Sequence, residues 1–243
     1  MKIETKKMLC ELIETYNRVM KVMEHDAAKS VRDDARAYGG FIRAAKGKMQ
    51  EYIAEELIRI AWITELSKSK QSIEINSSKI KVPIKVEYVQ NIRNKRIRDY
   101  ILSNIRGYHY GLSVDKHVFI NNKFVMGVEC KAYAENAMLK RILVDFYLLK
   151  TLYPDLVCFV LQLESMLGGD YHDITREPKG SRPTHTLMSY FDNIDLKIVT
   201  LLPGERHPLR PINKIDYFKP LTTNSLEIAI EALVDGFREG RLL

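Results

Sequence analysis

Within the 243-residue chain, Asp115 is followed after thirteen residues by Glu129-Cys130-Lys131. In an extended segment, side chains two apart share a face, so Glu129 and Lys131 point one way and Val128, Cys130 and Ala132 the other. Two apolar stretches, Tyr110 to Ile120 and Phe124 to Tyr133, flank Asn121-Asn122, which marks a turn. A hairpin folded there brings Asp115 beside the Glu/Lys pair. Two carboxylates about a metal's diameter apart suit a hard divalent cation such as Mg²⁺, which binds carboxylate, carbonyl and water oxygens together with substrate phosphates. A lysine alongside can orient an attacking water or neutralise charge that develops in the transition state. The substrate class this device fits is a phosphodiester.

The same acid-x-Lys spacing recurs three times, and context separates the copies. Glu4-Thr5-Lys6 lies in a helical pattern and Glu177-Pro178-Lys179 in a proline-containing loop. Asp195-Leu196-Lys197 is a closer rival because a strand pattern follows, yet Pro203-Gly204 comes next instead of a helix. Only the Glu129 copy has a strand pair before it and a helix after it. His172, His185 and His207 are scattered, with no helical metal-ligand spacing. Cys10, Cys130 and Cys158 form no CxxC pair, so neither a disulfide framework nor a structural zinc site is expected.

The elements that must hold this constellation follow from periodicity. Apolar residues at helical spacing predict an amphipathic helix over residues 3 to 25. Gly39-Gly40 predicts a break, and a second helix over Gly47 to Thr64 carries Glu51, Glu55 and Glu56. Residues 71 to 89 alternate as a hairpin (Ile73 and Ile75, then Ile80 to Val86), with Pro83 favouring an edge strand. Asn91 to Ile105 reads as a short basic helix. After the Asp/Glu/Lys hairpin, Met138 to Leu149 predicts a helix with a wide apolar face, and Leu156 to Leu163 a strand buried on both faces. A further strand at Leu196 to Leu202 and a final helix near Ser225 to Phe237 complete an α/β pattern.

This arrangement resembles the PD-(D/E)xK nuclease superfamily, whose core is an Asp near one strand's end, a hairpin, and Glu-x-Lys on the next strand. The match is Val114-Asp115, thirteen residues, then Glu129-Cys130-Lys131, with Val114 where the signature has proline. It covers roughly residues 47 to 163 and shares only topology and a handful of residues. The resemblance implies an α/β, restriction-endonuclease-like core: a mixed central sheet flanked by helices, with helical N-terminal and loop-rich C-terminal additions. It implies that Asp115, Glu129 and the Cys130 main-chain carbonyl hold Mg²⁺, that Lys131 positions or activates the water, and that a 3′-hydroxyl leaves. Superfamily members often add an acid from a preceding helix; Glu51 fits that place, with Glu55 as the alternative.

Composition agrees with a folded protein that meets a polyanion. Hydrophobic residues at 46% and charged residues at 28% exclude collagen-like and wholly disordered chains, and the net charge is +7. Residues 79 to 106 carry eight Lys or Arg against Glu87 and Asp99, which leaves +6 of that excess in one stretch with aromatic company. Arg93 and Arg96 there, Lys140 and Arg141 after the motif, and Arg176, Lys179 and Arg182 in the Gly/Arg-rich loop are the candidate DNA contacts. No apolar run is long enough for a bilayer or a signal peptide.

The chain is thus expected to be a single nuclease domain, 1–243. A helical part spans about 1–64, the catalytic core about 47–163, and recognition or dimerisation additions about 164–243. Size and additions are similar to type II restriction endonucleases: cytoplasmic, Mg²⁺-dependent, cutting double-stranded DNA as homodimers, with a cognate DNA methyltransferase in the same system. A noncatalytic DNA-binding protein and a structure-directed or repair nuclease of the same fold are the alternatives.

Overall fold

Asn121 and Asn122 take φ values of 48° and 65°, the left-handed pair that gives a two-residue turn the twist of the strands it joins. It links β4 (Lys116–Ile120) to β5 (Lys123–Glu135) as an antiparallel hairpin, with Lys116 opposite Val128. The computed structural model describes residues 2–29, 35–168, 171, 181–210, 212 and 214–240, and the side chains of these apart from 24–43 and 215. β1 (Ile73–Asn76) lies antiparallel outside β4, while β6 (Val157–Met166) runs parallel to β5 and β7 (Leu196–Thr200) parallel to β6. The result is a mixed five-stranded sheet, β1-β4-β5-β6-β7.

A parallel neighbour requires a crossover, and α5 (Asn136–Leu152) supplies it between β5 and β6. Its Leu139, Leu143 and Phe146 pack on Cys158 and Val160 of β6, whereas the alternating Phe159 and Leu161 join the cluster on the other face. That second face is covered by α1 (Ile3–Lys29), α2 (Ala35–Arg59) and α7 (Thr223–Glu239), through Tyr16, Ile53, Leu57 and Phe237. Two glycines let helices approach. A Cβ on Gly127 would come within 2.9 Å of the Phe146 ring, and one on Gly236 within 2.7 Å of the Phe159 ring. Alanine at either site forces a buried aromatic to move, at a cost of about 1–3 kcal/mol. Helices on both faces of a mixed sheet form the restriction-endonuclease-like core that the sequence implied.

Three expectations are corrected. The hairpin over 71 to 89 does not form: β1 pairs with β4, while β2 (Ile80–Pro83) pairs with β3 (His109–Leu112) in a separate two-stranded sheet. Alternation fixes which side chains share a face, not which strand is the partner. Val82 and Leu112 bury that small sheet against the α5 cluster, and β1 is left to extend the main sheet. Next, the extended stretch from Tyr110 to Ile120 is two strands, interrupted at residues 113–115. Finally, α2 runs straight through Gly39-Gly40, because helical glycine costs only about 1 kcal/mol and breaks nothing by itself. It passes into a π-helical turn at Ile60–Glu65.

The basic stretch contains α3 (Val86–Gln90) and α4 (Lys95–Ser103), the latter capped by the Asn94 side chain, which accepts from the Ile97 N–H. Beyond the sheet, α6 (Arg182–Met188) starts at Ser181. Among the described residues no helix is long and apolar enough to cross a membrane.

Candidate active site

The hairpin register sets the site. Because Lys116 faces Val128, the preceding residue, Asp115, sits at the mouth of the pair beside Glu129. Asp115 Oδ2 accepts the Cys130 backbone N–H at 2.7 Å and the Lys131 ammonium at 3.3 Å. The same ammonium donates to Glu129 Oε1 at 2.5 Å and to the Cys130 carbonyl at 3.2 Å. Asp115, Glu129, Cys130 and Lys131, named from spacing, strand context and the superfamily resemblance, are therefore brought together around one point.

Burial shapes the electrostatics here. Glu129 is 8% exposed, and this burial raises its pKa; Lys131 pulls it back and the Asp115 charge pushes it further up. For Lys131, burial works against the charged form, but Glu129 and Asp115 outweigh it and its pKa rises. Lys131 is thus an ammonium at neutral pH, a donor and not a base. The Cys130 thiol is pushed well up by burial and then by the neighbouring carboxylates, so it is no nucleophile.

Glu51 and Glu55 stand on α2, the helix before the core from which a further acid was expected. Both reach from α2 to Lys116, the residue after Asp115: Glu55 Oε2 lies 2.9 Å and Glu51 Oε2 3.9 Å from its Nζ. Glu55 also takes Arg59 at 2.8 Å. Burial opposes its charge, yet the hydrogen bonds from Arg59 and Lys116 prevail and lower its pKa. Neither carboxylate touches Asp115, Glu129 or Lys131. Glu51 is the less committed of the two, and its charge is felt at Cys130.

Among the described residues no three His, Cys, Asp or Glu side chains gather as a metal site. The donor set is two carboxylates and a main-chain carbonyl, all oxygen, and all already turned on a single cation, the Lys131 ammonium. That chemistry fits Mg²⁺, which keeps several waters and needs few protein ligands.

Sequence reasoning missed three supports. Lys116 is one, since its bond to α2 spans 61 residues. His117 is fully buried, and its Nε2 accepts the Val114 N–H at 3.1 Å, which pins the bend presenting Asp115. Asp145 on α5 is close enough for its charge to meet those of Arg141 and Lys131. The Asp145–Arg141 pair at i,i+4 was the one visible sign. Gln162 does not aim at the site; it ties β6 to the Ala134 N–H and to Thr200.

Among the described candidate DNA contacts, none is hydrogen-bonded or ion-paired to Asp115, Glu129 or Lys131. Arg93, Arg96, Lys140, Arg141 and Arg182 are exposed, and Arg141 reaches Asp145 at 3.7 Å. Arg176 and Lys179 lie outside the described residues. Around α4 the surface also exposes Tyr88, Ile97 and Tyr100.

No family model matches the chain, and no solved structure matches it. Type II restriction enzyme DdeI from Desulfomicrobium norvegicum is 61% identical to it over 239 residues, which is 98% of this chain and 100% of that enzyme. Likeness of that depth over nearly the full length, joined to a restriction-endonuclease-like core, places the chain in the family of type II restriction enzymes, the site-specific deoxyribonucleases.

Proposed function

We propose that the chain hydrolyses phosphodiester bonds of double-stranded DNA at a short specific sequence, in a Mg²⁺-dependent reaction centred on Asp115, Glu129 and Lys131. One observation carries this reading: two carboxylates and a main-chain carbonyl already converge on a single cation, Lys131's ammonium. Asp115, Glu129 and the Cys130 carbonyl would hold the metal, whose chemistry is to polarise the phosphoryl oxygen and acidify a water.

The chain's own residues do the rest. Lys131, kept protonated by its acidic neighbours, donates N–H groups to an entering water or phosphoryl oxygen and offsets charge as the bond breaks. The Cys130 N–H fixes the orientation of Asp115. Through Lys116, Glu51 and Glu55 tie α2 to the strand that presents Asp115, and Glu51 is the acid we assign to supporting the metal and its water. The exposed Arg93, Arg96, Lys140, Arg141 and Arg182, with Arg176 and Lys179, provide charge for the DNA backbone and its bases.

In the same reading the protein is one nuclease domain, 1–243. It works in the cytoplasm as a homodimer, one site per strand, beside a methyltransferase that protects the host's sites. Incubation with long duplex DNA tests it: discrete fragments in Mg²⁺ and none in EDTA are expected. Intact DNA in Mg²⁺ would favour a noncatalytic binding protein, and cutting confined to branched DNA a structure-directed nuclease.

A further inference from the structure

Where β5 and β6 end, a second charged cluster stands outside the Asp115/Glu129/Lys131 set. Tyr133 and Glu164 are register partners there, two residues beyond the Lys131–Gln162 pair, so about 7 Å of strand separates Tyr133 from Lys131. Glu164 is buried and takes Lys219 Nζ at 2.7 Å. Lys219 also donates to the carbonyls of Gly204 and Glu205, at 3.1 and 3.3 Å. The backbone of the same loop is sewn to β6, with Leu202 N–H on the Leu163 carbonyl and Arg206 N–H on the Ser165 carbonyl. This framework holds one side chain in place: the Arg206 guanidinium lies 3.7 Å from the centroid of the Tyr133 ring.

Arg206 is unusual in what it lacks. Among the described residues no carboxylate is paired with it, and the one acceptor of its guanidinium N–H groups is the Met166 thioether at 3.3 Å, a weak acceptor. A guanidinium stacked by its face keeps its edges for a planar or tetrahedral oxyanion. Lys46, on α2, is close enough to feel both Glu164 and Arg206. Burial first, and Arg206 after it, push the Lys46 pKa down to about 8 although Glu164 pulls it up. Lys46, Arg206 and Lys219 thus gather at the buried Glu164.

We propose that Arg206, seated on Tyr133, binds a phosphate of the DNA strand that flanks the phosphate cut beside Lys131. The inference rests on the proposed DNA-cutting function and adds to it a binding residue in the C-terminal part of the chain. Arg206 acts on binding and not on the bond broken, so its removal raises KM and leaves kcat nearly unchanged.

The test is binding of the full-length protein to a labelled duplex containing a site that the wild type cuts, measured in EDTA over a range of NaCl. Arg206→Ala is expected to bind about ten-fold more weakly and to lose about one unit of the log–log salt slope. Arg206→Lys is expected to keep the slope. If Arg206→Ala lowers the melting temperature, Arg206→Gln, which keeps the length and planar end of the side chain, must show the same loss of slope. Wild-type slope and KM in the Ala and Gln variants would overturn the inference while leaving the nuclease reading intact. A wild type that cuts nothing would instead sink the nuclease reading itself.

Discussion

Strands β5 and β7 stand on either side of β6, and each carries a lysine with an acid two residues before it, Glu129 within β5 and Asp195 just ahead of β7. On β5, Glu129 is buried, Asp115 faces it across an antiparallel hairpin, and Lys131 binds both. At the start of β7, the Asp195 side chain just ahead of the strand is 85% exposed, and Lys197 turns mainly to Glu239 at the end of α7, 2.9 Å away. The difference is the neighbour. An antiparallel partner crossing at Asp115 supplies a second carboxylate at the level of the first, whereas parallel β6 sets Leu196 beside the apolar Cys158. A motif of two residues becomes a candidate site only where the sheet adds a third group and buries the acid of the pair.

The sharpest break between the two strands is catalytic. Glu129→Ala or Lys131→Ala should cost about 1,000-fold or more in cleavage rate while DNA binding persists, whereas Asp195→Ala and Lys197→Ala should cut within about two-fold of wild type. Single-turnover cleavage of plasmid DNA reads all four. Asp115→Asn comes next, at about 100-fold with a raised Mg²⁺ requirement, seen by titrating the metal; an unchanged requirement would remove Asp115 from the metal set.

The acid limb sharpens the contrast further. Burial raises the Glu129 pKa, so its charge is lost at a higher pH than an ordinary glutamate's, and cleavage should fall as pH drops through that raised value. Metal favours the ionised form, so ten-fold more Mg²⁺ should move the limb down by up to about one pH unit. A limb indifferent to Mg²⁺ would assign it to another group.

A smaller effect separates the two acids of α2. Glu51→Gln should slow cleavage about ten-fold with an unchanged melting temperature. Glu55→Gln breaks bonds to Arg59 and Lys116 and should cost about 1 kcal/mol of stability in a denaturant titration. The reverse pattern would make Glu55 the supporting acid.

Much of the β4–β5 hairpin that carries the candidate site was legible because its signals are local. Asn121-Asn122 names its own turn, the alternation of β5 names its faces, and the apolar stripe of α5 follows at once. Partners distant in sequence left no such trace. β1 and β2 read as one hairpin because both alternate around a polar turn, and only the three-dimensional arrangement sends one to β4 and the other to β3. Nothing near Asp115 announces that Lys116 reaches α2 or that His117 pins Val114. Arg206 was one arginine in a Pro/Arg-rich loop until the backbone bonds to β6 placed it on Tyr133.

The central claim is that the β5 pair, and not its β7 counterpart, cuts DNA. The most direct measurement compares wild type, Glu129→Ala/Lys131→Ala and Asp195→Ala/Lys197→Ala on one long duplex DNA, in Mg²⁺ and in EDTA, after confirming that all three are folded. Discrete Mg²⁺-dependent fragments from wild type and the β7 double variant, with intact DNA from the β5 double variant, are the expected result. The same fragments from the β5 double variant would contradict it.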